Sequence, residues 1–281
     1  MDLGQSKRGV DMGPSAMRYA GLSSRLSELG YSVRDTGNIQ VPVRESLDEH
    51  QVLSEIRNTC AAVYEAGRIA IADSIPVFIG GDHSISIGST GGVTHDAPAG
   101  LIWIDAHGDF NTMQTSTSGN VHGMSLAIVT GSGLPELVNI GRPGPKIEPA
   151  NVVVIAVRSL EEKERELLKR SEISVFTMRE IDERGISRIT DEALQVLKGS
   201  RRIHVSLDMD CLDPMTAPGV GTPESGGLTY REAHLMMEII ADSNRLSSMD
   251  IVEINPIIDQ GNQTAKIAVE LTASLFGKSI L

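Results

Sequence analysis

Ile102-Trp103-Ile104-Asp105-Ala106-His107-Gly108-Asp109 passes from an unbroken apolar run straight into alternating acidic and imidazole side chains. Extended back to Gly100, the apolar part reads as a strand buried on both faces, since a half-exposed strand would alternate apolar with polar residues. The change at Asp105 marks its carboxyl end. Val205-Ser206-Leu207-Asp208-Met209-Asp210 repeats the transition, and the run Ile75 to Ile79 leads into Gly80-Gly81-Asp82-His83.

Working outward, Tyr31 to Arg34, Val152 to Val157, Val175 to Thr177 and Asp250 to Ile254 also read as strands. Between these runs lie helix-period stretches: Ser15 to Leu29, Leu53 to Asp73, Glu161 to Lys169, Asp191 to Lys198, Tyr230 to Ala241 and Thr264 to Phe276. Strands and helices in alternation predict an α/β fold, three layers α/β/α around a mostly parallel central sheet. No low-complexity linker or repeat interrupts the pattern, so one domain over residues 1–281 is expected. The longest structure-poor stretches, Gly108 to Gly123 and Leu212 to Gly227, each follow an acidic strand end. Ligands of open α/β sheets gather beyond the carboxyl ends of strands, and long loops in compact domains are usually functional.

A net charge of −12 over 281 residues argues against nucleic acid or an anionic membrane as partner and suits a cationic substrate. Cys60 and Cys211 are too few for a disulfide framework. With no leader and no apolar run of spanning length, a cytoplasmic location is the expectation.

The acidic clusters carry the chemistry. Fully extended, Asp105 and Asp109 would stand roughly 13 Å apart, so sharing one ion requires the segment to curl, which Gly108 allows. Strand-end aspartates often do no more than cap the next helix, but that leaves His107 without a purpose. Asp208-Met209-Asp210 alone would be weak evidence; beside the first cluster it gains weight. Crowded carboxylates repel or protonate unless a cation intervenes, and carboxylate with imidazole suits an ion such as Mn²⁺. His122, in the polar loop Ser118-Gly119-Asn120-Val121-His122, is placed to move protons near neutral pH. Two cations that share carboxylates can turn water into a nucleophile. Phosphoester hydrolysis would use the same device, but no phosphate-cradling loop or Arg/Lys pair accompanies these clusters.

Gly80-Gly81-Asp82-His83, Asp105-Ala106-His107-Gly108-Asp109 and Ser206-Leu207-Asp208-Met209-Asp210-Cys211-Leu212-Asp213-Pro214 resemble the three metal motifs of the ureohydrolases, the arginase and agmatinase family. The likeness spans almost the whole chain, including Gly221-Thr222-Pro223 and Glu253-Ile254-Asn255-Pro256, and the opening segment is similar to the bacterial arginase branch. It implies two Mn²⁺ per subunit. His83, Asp105, Asp109 and Asp208 would hold one, and Asp105, His107, Asp208 and Asp210 the other, with Asp105 and Asp208 bridging. A metal-bridging hydroxide would attack the guanidinium carbon, oriented by Asp109. His122 would shuttle the proton and Glu253 would bind the guanidinium.

Asn111, Ser118 and Asn120 match the residues that hold an α-carboxylate in arginases, and with Glu161 and Thr222 they complete the implied substrate set. The resemblance therefore implies hydrolysis of L-arginine to L-ornithine and urea, in a homotrimer or homohexamer. Agmatine or another guanidino acid is the alternative, because Glu161 stands where arginases carry aspartate and Cys211 and Pro223-Glu224 are agmatinase-like. An inactive metal-binding scaffold is the remote one. The family also has an apolar strand ahead of the segment that opens this chain, so the sheet is expected to lack that strand or the true start to lie upstream of Met1.

Overall fold

In the computed structural model, which describes residues 1–279, six strands form one sheet: β1 (Val77–Ile79), β2 (Gly100–Ile104), β3 (Val152–Val157), β4 (Ser174–Thr177), β5 (Ile203–Asp208) and β6 (Leu246–Val252). Their order is β1-β6-β5-β2-β3-β4, and every pairing is parallel. β2, β3 and β5 are buried along their whole length; β2 and β3 are unbroken apolar runs, whereas β5 alternates Ile203, Val205 and Leu207 with buried His204, Ser206 and Asp208. Helices cover both faces. One core packs Met236, Met237, Ile240 and Leu271 under Ile102, Val205 and Met249; the other packs Ile56, Tyr64, Ile87 and Leu126 against Leu101, Trp103 and Val154. The α/β class with three layers and a parallel sheet is as expected. β2 and β5 are neighbours, so their acidic carboxyl ends emerge side by side.

Three expectations needed correction. Tyr31 to Arg34 is not a strand: residues 31–43 are irregular, and Tyr31 and Val33 stay exposed at 40% and 38%. A strand needs a ladder partner, and β1, paired only to β6, is the sheet edge on its side. Among the described residues no strand precedes Val77. The stretch Ser15 to Leu29 divides into helices Gly13–Tyr19 and Leu22–Glu28, because Gly21 turns into the left-handed region at φ 89°. β6 ends at Val252, one residue before Glu253, which takes φ 65° instead of continuing the strand.

The helix Ser86–Val93 escaped the periodicity reading because it is buried all round and shows no polar stripe. It packs against Glu49–Ala70 through glycine. A Cβ on Gly88 would sit 2.3 Å from the Cys60 carbonyl oxygen and 2.7 Å from Val63 Cβ. Backbone cannot rotate away, so Gly88→Ala is expected to cost roughly 1–3 kcal/mol by overpacking and to lower the melting temperature by several degrees. An unchanged melting curve would mean that the two helices stand further apart than described.

Candidate active site and cation centre

Three strand ends and one loop build the crevice. β1 leads through Gly80 and Gly81 to Asp82, whose carboxylate accepts from the Ser84 amide and starts the turn that carries His83 inward. Gly81 is obligatory here, since a Cβ would lie 1.6 Å from the Met1 carbonyl oxygen. After β2 the chain curls: the Asp105 Oδ1 accepts from the His107 amide at 2.6 Å, and Asp109 takes φ 49°, a strained conformation for a side-chain-bearing residue. After β5 the Asp208 Oδ1 accepts from the Asp210 amide at 2.8 Å.

These turns bring two groups together. His83 Nδ1 stands 3.1 Å from Asp105 Oδ2, 3.0 Å from Asp109 Oδ2 and 3.1 Å from Asp208 Oδ2. His107 Nδ1 stands 3.4 Å from Asp105 Oδ1 and 3.0 Å from Asp210 Oδ2. Asp105 therefore serves both groups, one oxygen each. Asp208 faces His83 through Oδ2, while its Oδ1 accepts from the Asp210 amide.

All four carboxylates are buried and crowd one another. Burial, then Asp210 and Asp105, pushes Asp208 well above the carboxylate range; burial and Asp105 raise Asp210 and lift Asp109 to about 6. Burial works against ionised Asp105 as well, yet the close imidazoles of His107 and His83 hold it low. Against burial, the surrounding carboxylates raise both imidazoles. His83 Nδ1 and Asp109 Oδ2 are enclosed with no hydrogen-bond partner. Unpaired buried polar atoms are costly. A donor set of imidazole nitrogens and carboxylate oxygens closing on such orphan atoms fits two divalent cations, which would neutralise the carboxylates.

The other expected residues fall into three places. Asn111, Ser118, Glu161 and Thr222 line a cleft of about 170 Å³ with His122 and the acidic cluster. Thr222 Oγ1 donates to Asp210 Oδ2 at 3.0 Å, and Glu161 accepts from Thr117 Oγ1 at 2.8 Å. Asn120 stands aside, its side-chain oxygen accepting from Ser6 Oγ at 3.2 Å. Glu253 lies beneath, fully enclosed, with Oε1 2.9 Å from the His83 amide and 3.1 Å from His122 Nδ1. Although burial opposes it, this contact raises His122 to about 9 and lowers Glu253.

Three contributors went unread in the sequence. Gln5, nearly buried, donates from Nε2 to Glu253 Oε2 at 2.8 Å; it is a polar residue in an irregular opening segment, and nothing local marks it. Glu164 lines the cleft and accepts from the Phe110 amide at 2.9 Å, and burial lifts it to about 7. Its three-residue spacing from Glu161 at a helix start was the available signal. Arg158 donates to the carbonyl oxygens of Asp210, Cys211, Leu212 and Glu224, tying the loop after β5 to the end of β3.

A carboxylate–imidazole basin at the ends of parallel strands, with a histidine–glutamate pair beside it, is the donor chemistry of a divalent-cation site. Sequence comparison is more specific. The Arginase family model matches residues 1–277. The arginase of Bacillus caldovelox is 49% identical over 290 residues, covering all of this chain and 97% of that one. Among solved structures, the arginase of Bacillus subtilis superposes with a TM-score of 0.95 at 48% identity, over 100% and 97% of the two chains. The Entamoeba histolytica arginase solved with L-ornithine gives 0.88 at 29% identity, over 98% and 94%. The chain belongs to the arginase family and is an amidinohydrolase.

Proposed function

We propose that this protein hydrolyses L-arginine to L-ornithine and urea with two Mn²⁺ held by His83, Asp105, His107, Asp109, Asp208 and Asp210. The observation that carries the reading is the double trio around His83 and His107, sharing Asp105 and opening on the cleft that holds His122. Bound there, the cation pair supplies an acidified water as nucleophile near neutral pH.

The chain's own residues do the rest. Glu253, buried and negative, pairs with the planar guanidinium through charge-assisted hydrogen bonds and holds its carbon over the basin. Gln5 and the His83 amide fix the Glu253 carboxylate, so little ordering remains when substrate arrives. Asp109, whose Oδ2 faces His83 Nδ1 at 3.0 Å, also orients the attacking water. His122, kept protonated by Glu253, delivers its proton to the departing amine of ornithine. At the mouth, Asn111, Ser118 and Asn120 receive the α-carboxylate, and Glu161 the α-amino group. Thr222 braces Asp210 through its hydroxyl. We expect the assembly to be a homotrimer or homohexamer.

Substrate choice is tested by measuring urea release from L-arginine, agmatine and 4-guanidinobutyrate side by side with added Mn²⁺. Arginine should be strongly preferred, because agmatine lacks the carboxylate and 4-guanidinobutyrate the α-amino group, and either loss leaves polar groups of the mouth unpaired. Turnover of agmatine with none of arginine would overturn the assignment of Asn111, Ser118 and Asn120.

A further inference from the structure

Behind His83, away from the cation basin, runs a chain of polar side chains that the reaction itself does not use. His83 Nε2 is 2.8 Å from Ser206 Oγ, and Ser206 Oγ donates to Asp250 Oδ1 at 2.6 Å. Asp250 Oδ2 also receives the Ser89 hydroxyl, and the His204 Nε2 lies 3.0 Å from it; His204 Nδ1 is in turn 2.9 Å from Ser248 Oγ. His83, Ser89, His204, Ser206, Ser248 and Asp250 are all completely buried. Parallel pairing accounts for the alignment: Ser206 is the register partner of Asp250 and His204 that of Ser248. The two-residue period of a strand then puts His204, Ser206 and Asp208 on one face of β5.

A charged carboxylate in the interior is costly and needs a compensating purpose. Here the purpose can be read from the protons. Asp250 only accepts, so the single Ser206 hydrogen points at Asp250. Ser206 is left with nothing but lone pairs for His83, and Nε2 of that ring must carry hydrogen. In the neutral ring Nδ1 is then bare, and Nδ1 is the atom that faces Asp105, Asp109 and Asp208. Trp103, stacked on the ring at 4.0 Å between centroids and 9° between planes, fixes its tilt. Resting on the reading of His83 as a cation ligand, we infer that Ser206 and Asp250 are positioning residues that set the tautomer of His83 and present its Nδ1 to the cation.

The test is Mn²⁺ binding by calorimetry and metal analysis, with the electron paramagnetic resonance spectrum as a second readout. Ser206→Ala should lower affinity for one of the two ions by roughly 10- to 100-fold. At limiting Mn²⁺ it should show single-ion instead of spin-coupled spectra, with coupling and urea release both restored by excess Mn²⁺. Asp250→Asn, which keeps the volume, serves if Ser206→Ala does not fold, and should weaken the same ion. Ser89→Ala removes another hydrogen from Asp250 outside the path to His83; it should melt lower yet load both ions like the parent. Parental Mn²⁺ affinity in Ser206→Ala, or an equal loss in Ser89→Ala, would overturn the relay. A parent protein that takes up no Mn²⁺ would instead overturn the ligand reading, and the relay with it.

Discussion

Asp105→Ala should leave a folded protein that no longer loads two cations and whose kcat/KM for arginine falls by about 10³-fold or more. Asp105 is the one carboxylate common to both trios, at 3.1 Å from His83 Nδ1 through one oxygen and 3.4 Å from His107 Nδ1 through the other. Its removal takes a negative donor from both groups at once. Cation stabilisation of developing charge is worth several kcal/mol, and each ~1.4 kcal/mol is tenfold in rate, which sets the expected loss. Metal analysis after dialysis, with urea release on the same samples, reads both effects. A variant that keeps two ions per chain would refute the shared role of Asp105.

His122→Ala should do the reverse: both cations stay, and turnover drops roughly 10²- to 10⁴-fold, the usual contribution of a positioned proton donor. His122 touches Glu253 at 3.1 Å and belongs to neither trio. Loss of metal in this variant would make His122 a ligand and reject the proton-shuttle role. A second consequence appears in the cation-free protein. Folding raises His122 from its ordinary value to about 9, chiefly through Glu253 and against the effect of burial. A raised histidine stabilises fully at pH below its unfolded value of ~6.5, and that contribution disappears as pH climbs through about 9. The share at stake is of the order of 3 kcal/mol. Thermal melts between pH ~7 and ~10 should therefore show the parent losing more stability than His122→Ala.

Much of this architecture was legible because burial on both faces demands apolar residues throughout. β2 and β3 announced themselves in that way, and the abrupt change at Asp105 marked where β2 ends; β5 instead alternates apolar residues with buried His204, Ser206 and Asp208. The same logic failed for Tyr31 to Arg34, whose composition suits a strand although no neighbouring ladder receives it. It failed again for Ser86–Val93, where burial all round erases the period on which helix recognition depends.

The identity of the acidic and imidazole side chains, and their place at strand ends, could be read residue by residue. Which atoms meet could not. That His83 offers Nδ1 and not Nε2, that Asp105 turns one oxygen to each imidazole, and that Gln5 and Glu164 reach the site are outcomes of strand order and register. Asp250 is the clearest case: in sequence it is one more polar residue opening an apolar stretch, and only the pairing of β5 with β6 places it behind His83. Local pattern reports whether a side chain is buried, because burial is a property of one residue's surroundings. Partnership between residues distant in the chain is decided by the packed sheet, where a shift of one position would turn each of these side chains to the opposite face.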